Sequence, residues 1–578
     1  MIDSDSYRPL VQHMSGPAAR QLARRLAAYL PVTLTRQILN QSLPPPSEAR
    51  WLQAATLFVD ISGFTRIAEE LAAEGPRGAE ELNRALLLTF TALINAIHDA
   101  GGAVSHFHGD ALMVYFDDMD GRAARRALAC GRFMQSLLLT SFAHVTVKRE
   151  AGKASVYGLS IKVGVGYGRC LEVIVGDPET SLEFVLAGAA VNEAVAAQRQ
   201  AQAGQVVASR AVLHKANLPA VEAFRAVTEV APVPRAQPSL YWEAFDQAAL
   251  QRLLAAAPAF VPKVLYERLQ NQNTQFVAEH RPVTSLFVRF EGIDYEAENA
   301  GVLLQTYYQW ACRVVDRFAA RYGGGNGRVN RILMDDKGSQ MHILFGAPVA
   351  PDVPEEAIRC ALALQREKPA FITRQHIGLA AGKVFACAVG SQNRREYTAV
   401  GNVINLSARL AEVCPAGTVV VDEDTARRVA DSIEFERPLP ASMKGRTEAM
   451  SLYQAVGERP VATPSPSSEW QEDTLYAFLL AQLDQLSAAG RSLLQVAAVI
   501  GSEFDLTTLV AVTPGMSAEM ALNLLEEAAA AGIVQVAALE PAPTYLFVDA
   551  PIHNVVYESL PYARRQALRA QVTQLLAR

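Results

Sequence analysis

An unbroken apolar run, Leu57-Phe58-Val59, follows Ala54 and Ala55 and stops at Asp60. Such a run suits a strand covered on both faces. Ser62-Gly63 reads as a turn, and from Thr65 the spacing turns helical. NRALLLTFTALINAIHDAGG continues the helical period. AVSHFH and ALMVYF read as two strands about a Gly109-Asp110 turn, RAARRALACGRFMQSLL as an amphipathic helix, and IKVGVGYG as a strand. The same pattern then returns. ATLFVDISGF at 55–64 parallels TSLFVRFEGI at 284–293, and HGDALMVYF at 108–116 parallels KGSQMHILF at 337–345. KVGVGYGRCLEVIVG at 162–176 parallels HIGLAAGKVFACAVG at 376–390, and EFVLAGAAVNEA at 183–194 parallels EYTAVGNVINLS at 396–407. The first copy carries an extra segment around SFAHVTVKREAGKAS.

The β-α-β-β-α-β order implies an α/β (α+β) chain built on two tandem ferredoxin-like sandwiches with antiparallel sheets. Two such copies in one chain invite face-to-face packing as an intramolecular pseudo-heterodimer with two related clefts. The expected organisation is a helical lead-in at 1–50, a first copy at 51–245, a helical connector at 246–280, and a second copy at 281–457. A Pro/Ser linker at 458–473 and a mostly helical module at 474–578 follow, the latter with VQVAALEPAPTYLFV as a short hairpin.

Composition narrows the picture. At 578 residues the chain exceeds a single core. Its net charge of −6 leaves no electrostatic footprint for nucleic acid. The six cysteines form no CxxC pair, which argues against a zinc or redox motif and for buried thiols in a reducing compartment. The N-terminal residues show no apolar signal region, and no uncharged apolar run would span a bilayer. A cytoplasmic protein is expected.

The candidate chemistry sits at positions where the copies differ. Asp60 at a strand end and Asp110 in a hairpin turn are each ordinary turn residues when alone. On neighbouring strands they would converge as hard oxygen ligands, with the Ile61–Thr65 loop offering backbone N–H groups to phosphate. The second copy replaces them with Arg289 and Ser339. It carries instead Lys337 before Gly338, Thr398 in a strand, and Asn405 with Arg409 on one helix face. The first copy has Val185, Asn192 and Ala196 at the last three of these places. Each copy lacks what the other keeps, which points to one composite site.

FVDISGFT, HGDALMVYF and YTAVGNVINLSARL together resemble the class III nucleotidyl cyclases, and the unequal tandem resembles the soluble adenylyl cyclases among them. The resemblance covers roughly residues 25–457. It implies conversion of ATP to 3′,5′-cyclic AMP and pyrophosphate, with Asp60, Asp110 and the Ile61 carbonyl holding two Mg²⁺ ions, Mn²⁺ being the alternative. By the same resemblance Lys337 and Thr398 recognise adenine rather than guanine, Asn405 orients the ribose, and Arg409 stabilises the transition state. Gly63, Phe64 and Thr65 take the triphosphate, with Lys162 and Lys444 as weaker contacts. Many family members place the lysine a few residues before the turn glycine; the adjacent Lys337 resembles the tandem soluble enzymes. At the positions that bind bicarbonate in the animal enzymes stand His106 and Val195, so bicarbonate activation is not expected. A catalytically weak ATP sensor and a guanylyl cyclase are the alternatives. The tail segments SLLQVAAVIGSEFDLTTL and FVDAPIHNVVYESLPYARRQAL are similar to the winged-helix part of signal-transduction ATPases, without a GxxxxGK[ST] loop anywhere in the chain. The tail is expected to meet a protein partner.

Overall fold

The structure, a computed structural model, describes residues 16–41, 43–63, 67–68, 70–71, 75–140, 144–148, 154–230, 240–270, 278–319, 327–335, 338–349, 353–436, 439–441, 450–459, 476, 479–538 and 542–576. Helices α1 (Gly16–Ala27) and α2 (Val32–Asn40) lead in. The first half then runs β1 (Arg50–Ser62), α3 (Pro76–Asp99), β2 (Ala103–His108), β3 (Ala111–Asp117), α4 (Ala123–Thr140), β4 (His144–Lys148), β5 (Ala154–Gly158), β6 (Ser160–Asp177), β7 (Ser181–Ala187), α5 (Ala189–Gln200), β8 (Val206–Ser209), α6 (Arg210–Lys215) and β9 (Phe224–Ala226). Its sheet has the order β2-β3-β1-β6-β8-β9, with β7 also on β6. The β6-β1-β3-β2 part is the antiparallel ferredoxin-like order, and only β6–β8 is parallel. The extra segment of the first copy is the separate β4–β5 hairpin.

Helices α7 (Gln247–Ala256) and α8 (Lys263–Gln270) connect the halves and pack beside α1 and α2. The second half repeats the plan with β10 (Glu279–Glu291), α9 (Ala300–Ala319), β11 (Gly327–Asp335), β12 (Gly338–Phe345), α10 (Pro354–Arg366), β13 (Arg374–Gly390), β14 (Arg395–Val400), α11 (Asn402–Val413), β15 (Val419–Val421), α12 (Glu423–Arg428), β16 (Ile433–Phe435), β17 (Leu439–Ala441) and β18 (Met450–Glu458). Its sheet order is β11-β12-β10-β13-β15-β18-β16, the same arrangement around β10 as around β1. A third unit holds α13 (Ala488–Ile500), β19 (Glu503–Asp505), α14 (Leu506–Val512), α15 (Ala518–Ala530), β20 (Val534–Ala538), β21 (Thr544–Phe547), α16 (Ala550–Ser559) and α17 (Tyr562–Leu576) around its own core. Ser487, Asp505, Ser517 and Asp549 cap four of its helices by accepting a backbone N–H.

One face of β1 turns Leu57, Val59 and Ile61 into a core shared with Phe90 and Ile94 of α3 and Leu128 of α4. The opposite face carries α5 almost in contact with the strand backbone. A methyl group at Gly164 would stand 2.0 Å from the Ala194 carbonyl oxygen. Gly378 does the same for α11: a methyl there would stand 2.2 Å from the Ala411 nitrogen. These glycines let the two helices seat deeply.

The halves exchange arms. Phe385, Cys387 and Val389 of β13 lie in the core of the first half, and Phe184 and Val185 of β7 lie in a core that residues of both halves build together. Gln305 of α9 holds Gly176 of the first half through both backbone groups, at 2.7 and 2.8 Å.

Two details depart from the sequence reading. β1 does not end at Asp60, and Ser62 is not part of the turn. Pairing with β6 carries the strand on to Ser62↔Ser160, and the turn starts at Gly63. The expected linker begins after β18, because Glu458 still pairs with Ile433; residues 460–475 lie outside the described residues. Among the described residues, no helix is long and apolar enough to cross a membrane.

Candidate active site

The β1–β3 ladder places Asp60 opposite Ala111, so Asp110 follows the turn glycine one residue earlier. Gly109 makes that turn with φ 67. The two acidic side chains therefore meet at one sheet edge. Burial first, and the Asp60 charge second, push the Asp110 carboxyl up to about 7. The Asp60 carboxylate accepts a hydrogen bond from Gln198 Nε2 at 2.9 Å. Ile61 lies just past the end of the β1–β3 pairing. Two crowded carboxyls, one of them resisting ionisation, fit a divalent cation that would relieve both. Among the described residues no group of three or more His, Cys, Asp or Glu converges, so such a cation would draw its remaining ligands from water or phosphate.

A cavity of about 280 Å³ opens between the halves at this edge. Gly109 and Asp110 line it from the first half, and Thr398, Asn405 and Arg409 from the second. Thr398 points in from β14 and is nearly buried. Asn405 and Arg409 sit one turn apart on α11, which Gly378 allows to press onto β13. Leu82 and Leu86 of α3 form part of the apolar wall.

The structure does not bring every sequence candidate to the cavity. Asp60 is near enough for its charge to act on Asp110 but does not line the cavity wall. Lys162 lies directly across from Asp60 on β6, beside the acidic edge but off the wall. Gly63 has φ 93, and a methyl there would come 3.2 Å from the Gly158 carbonyl oxygen at the end of the β4–β5 hairpin. Phe64, Thr65, Lys337 and Lys444 lie outside the described residues.

Sequence reasoning missed His342. It lines the cavity, stacks on Phe287 with ring centres 4.5 Å apart, and reaches Ser285 Oγ at 3.0 Å through Nε2. Ser285 Oγ is in turn 2.7 Å from Ser407 Oγ, between Asn405 and Arg409 on α11. Burial, then Arg331 and Arg328, hold His342 well below the ordinary imidazole range. The available signal was a lone histidine in the apolar strand MHILF.

The related second cleft is different. Ser339 bonds Tyr295 Oη at 2.6 Å where the first half has its aspartate. His106 is 3.3 Å from Glu183, and Val195 is buried in the core. A separate cavity between the halves, lined by His106 and Glu183 but not by Ser339 or Val195, contains Arg328, Arg331 and Arg394, all supplied by the second half. Glu396 pairs with Arg331 at 2.8 Å and Arg394 at 2.7 Å.

The model of the adenylate and guanylate cyclase catalytic domain matches residues 48–230 and 350–456. Adenylate cyclase type 10 of Homo sapiens is 27% identical over 483 residues, which are 75% of this chain and 28% of the human protein. The chain thus spans little more than a quarter of that relative. Adenylate cyclase 1 of Rhizobium meliloti (strain 1021) is 31% identical over 140 residues, 21% of this chain and 20% of that one. Among solved structures, a class III adenylyl cyclase-like ATP-binding protein from Pseudomonas aeruginosa is 13% identical with a TM-score of 0.47, covering 72% of this chain and 93% of its own.

Proposed function

This chain belongs to the family of adenylate and guanylate cyclase catalytic domains, and we propose that it converts ATP to 3′,5′-cyclic AMP and pyrophosphate at the composite cavity. The observation that carries this reading is the convergence of Asp110 from one half with Asn405 and Arg409 from the other around one space. Two divalent cations held by Asp60, Asp110 and the Ile61 carbonyl, Mg²⁺ with Mn²⁺ as the alternative, would activate the ribose 3′-hydroxyl and neutralise the leaving pyrophosphate. Asn405 orients the ribose, a positioning effect. Arg409 meets the charge that develops on the transferred phosphorus. Thr398 and Lys337 select adenine. The backbone of Gly63, Phe64 and Thr65, with Lys162 and Lys444, receives the triphosphate. The reading places the protein in the cytoplasm, with ATP as its substrate and no nucleic acid.

The test is cyclic-nucleotide production by the full chain, with ATP and GTP offered separately under Mg²⁺ or Mn²⁺. Cyclic AMP is expected from ATP, abolished in Asp60→Ala and reduced roughly 10³-fold or more in kcat in Arg409→Ala. ATP binding should survive in Arg409→Ala. Bicarbonate at fixed pH should change the rate little, because His106 and Val195 offer no fixed cation. Cyclic GMP as the main product would replace the adenine reading. ATP binding with no product under either metal would make the chain a sensor.

A further inference from the structure

One carboxylate touches all three parts of the molecule. Glu80, in the second turn of α3, accepts from the backbone nitrogens of Tyr562 at 2.5 Å and Ala563 at 3.2 Å, the first two residues of α17. It also lies 2.7 Å from His280 Nε2 on β10 of the second half. The His280 ring stands 4.9 Å from Phe385, which belongs to the core of the first half. Three residues earlier on α3, the Arg77 guanidinium sits 5.0 Å from the centre of the Tyr562 ring.

A second seam lies deeper. Glu279 accepts from Arg491 of α13 at 2.7 Å and from Arg281 at 3.3 Å, with Arg268 at 3.7 Å. Asp484 pairs with Arg281 at 2.7 Å and with Arg491. All these side chains are buried. Without Asp484 and Arg491 the charges of Glu279 and Arg281 would lose partners in a dry interface, a costly arrangement. The C-terminal unit is therefore built into the catalytic halves and not tethered beside them.

What this seat holds is the wall of the catalytic cavity. α3 runs from Glu80 to Leu82 and Leu86, which line the cavity. Gly75 at its N-cap has φ 60 and gives no side-chain cap. The α17 contact acts one turn in from that start.

We propose that the C-terminal unit is a clamp on the catalytic cavity, with Glu80 as the positioning residue that fixes the α3 wall against the second half. This rests on the cyclase reading for its kinetic arm only. The full chain is compared with Glu80→Ala, Glu80→Gln and Ala563→Pro. The last removes a single donor from the module side, at a helix start that tolerates proline. Cyclic AMP production gives kcat and KM for ATP, and amide hydrogen exchange reads residues 76–90. Glu80→Ala is expected to lower kcat at least about tenfold while KM moves within about threefold, and to speed exchange along α3. Glu80→Gln keeps one carbonyl acceptor and should recover part of both. Ala563→Pro should show a smaller loss of the same kind. Wild-type kcat in Glu80→Ala and Ala563→Pro overturns the clamp, whatever the exchange does. Exchange that rises only around Tyr562 and not along α3 also overturns it, and does so even if the wild type makes no cyclic nucleotide. A silent wild type with faster α3 exchange in the variants would leave the mechanical clamp standing and sink the cyclase reading instead.

Discussion

At the scale of single residues, the decisive feature is a pair of acids held closer than they would choose. The Asp110 carboxyl, raised to about 7 by burial and by Asp60, keeps its proton in the range where an ordinary aspartate has lost it. A folded-state value above the unfolded one means that this group costs stability as pH rises from about 4 toward 7. A cation at the pair must displace that proton. Apparent Mg²⁺ affinity of the metal-free protein should therefore climb by about tenfold per pH unit below 7 and level off above it. Titration calorimetry in buffers of different ionisation enthalpy would show both the slope and the released proton. Asp60→Asn removes the smaller of the two causes, so it should move the levelling-off to lower pH while weakening binding. An affinity unchanged between pH 5.5 and 7.5 would refute the coupling. Asp60, Asp110, Asn405 and Arg409 stood out in the sequence as candidates because they occupy matched places in two copies that differ. His342 was not, because its meaning comes from Ser285, 57 positions away, and from Ser407, 122 positions from Ser285. No local pattern links three strand and helix positions that only the folded sheet brings together.

At the scale of elements, the helix that carries Asn405 and Arg409 is placed by the strand beneath it. The i, i+4 spacing announced a shared face, and the repeat announced the helix. Neither announced how close α11 would lie to β13. That depends on Gly378, whose missing side chain is occupied by the α11 backbone at Leu410 and Ala411. A helix backbone cannot step aside as a flexible side chain can, so Gly378→Ala must shift α11 as a body. The expected cost is about 1–3 kcal/mol of stability. Because Arg409 moves with the helix, the loss in kcat should reach roughly 10²-fold, as expected for an ångström-scale misplacement. Gly457→Ala, in β18 with open space around it, should leave both quantities near wild type. Equal effects of the two substitutions would mean that glycine content, and not close approach, is what the fold needs. The strand length of β1 belongs to this scale too. Its local sequence signalled a stop at Asp60, but the longer partner β6 extends the pairing by two residues, a tertiary override of a turn signal.

At the scale of the whole molecule, the duplication was readable in the chain, and so was the complementary loss of polar residues between its copies. The exchange of arms was not. Phe385, Cys387 and Val389 look like core residues of their own copy, and only the assembled structure assigns them to the other. The polar counterpart of that exchange is Glu396, which holds Arg331 and Arg394 while these donate to the backbone carbonyls of Phe107, Val104 and Ser105 in the first half. Both guanidiniums are largely buried, and Arg331 also lines the composite cavity between the halves. Glu396→Gln keeps the shape but leaves two buried cations facing one neutral acceptor, and turns an amide N–H₂ toward one of them. Removing one partner of a buried ion network costs about 3–5 kcal/mol, and here the loss falls on the seam between halves. Chemical denaturation should register that drop, and catalysis should fall with it, since the cavity exists only while the halves stay in register. Arg317 gives the contrast: its side chain is 51% exposed and bridges Glu367 at 2.8 Å on the surface of one half. Arg317→Gln should cost under about 1 kcal/mol and leave turnover intact. If the two variants lose the same small amount, the apolar arms alone hold the pseudo-dimer, and the buried charges serve only to fix its register.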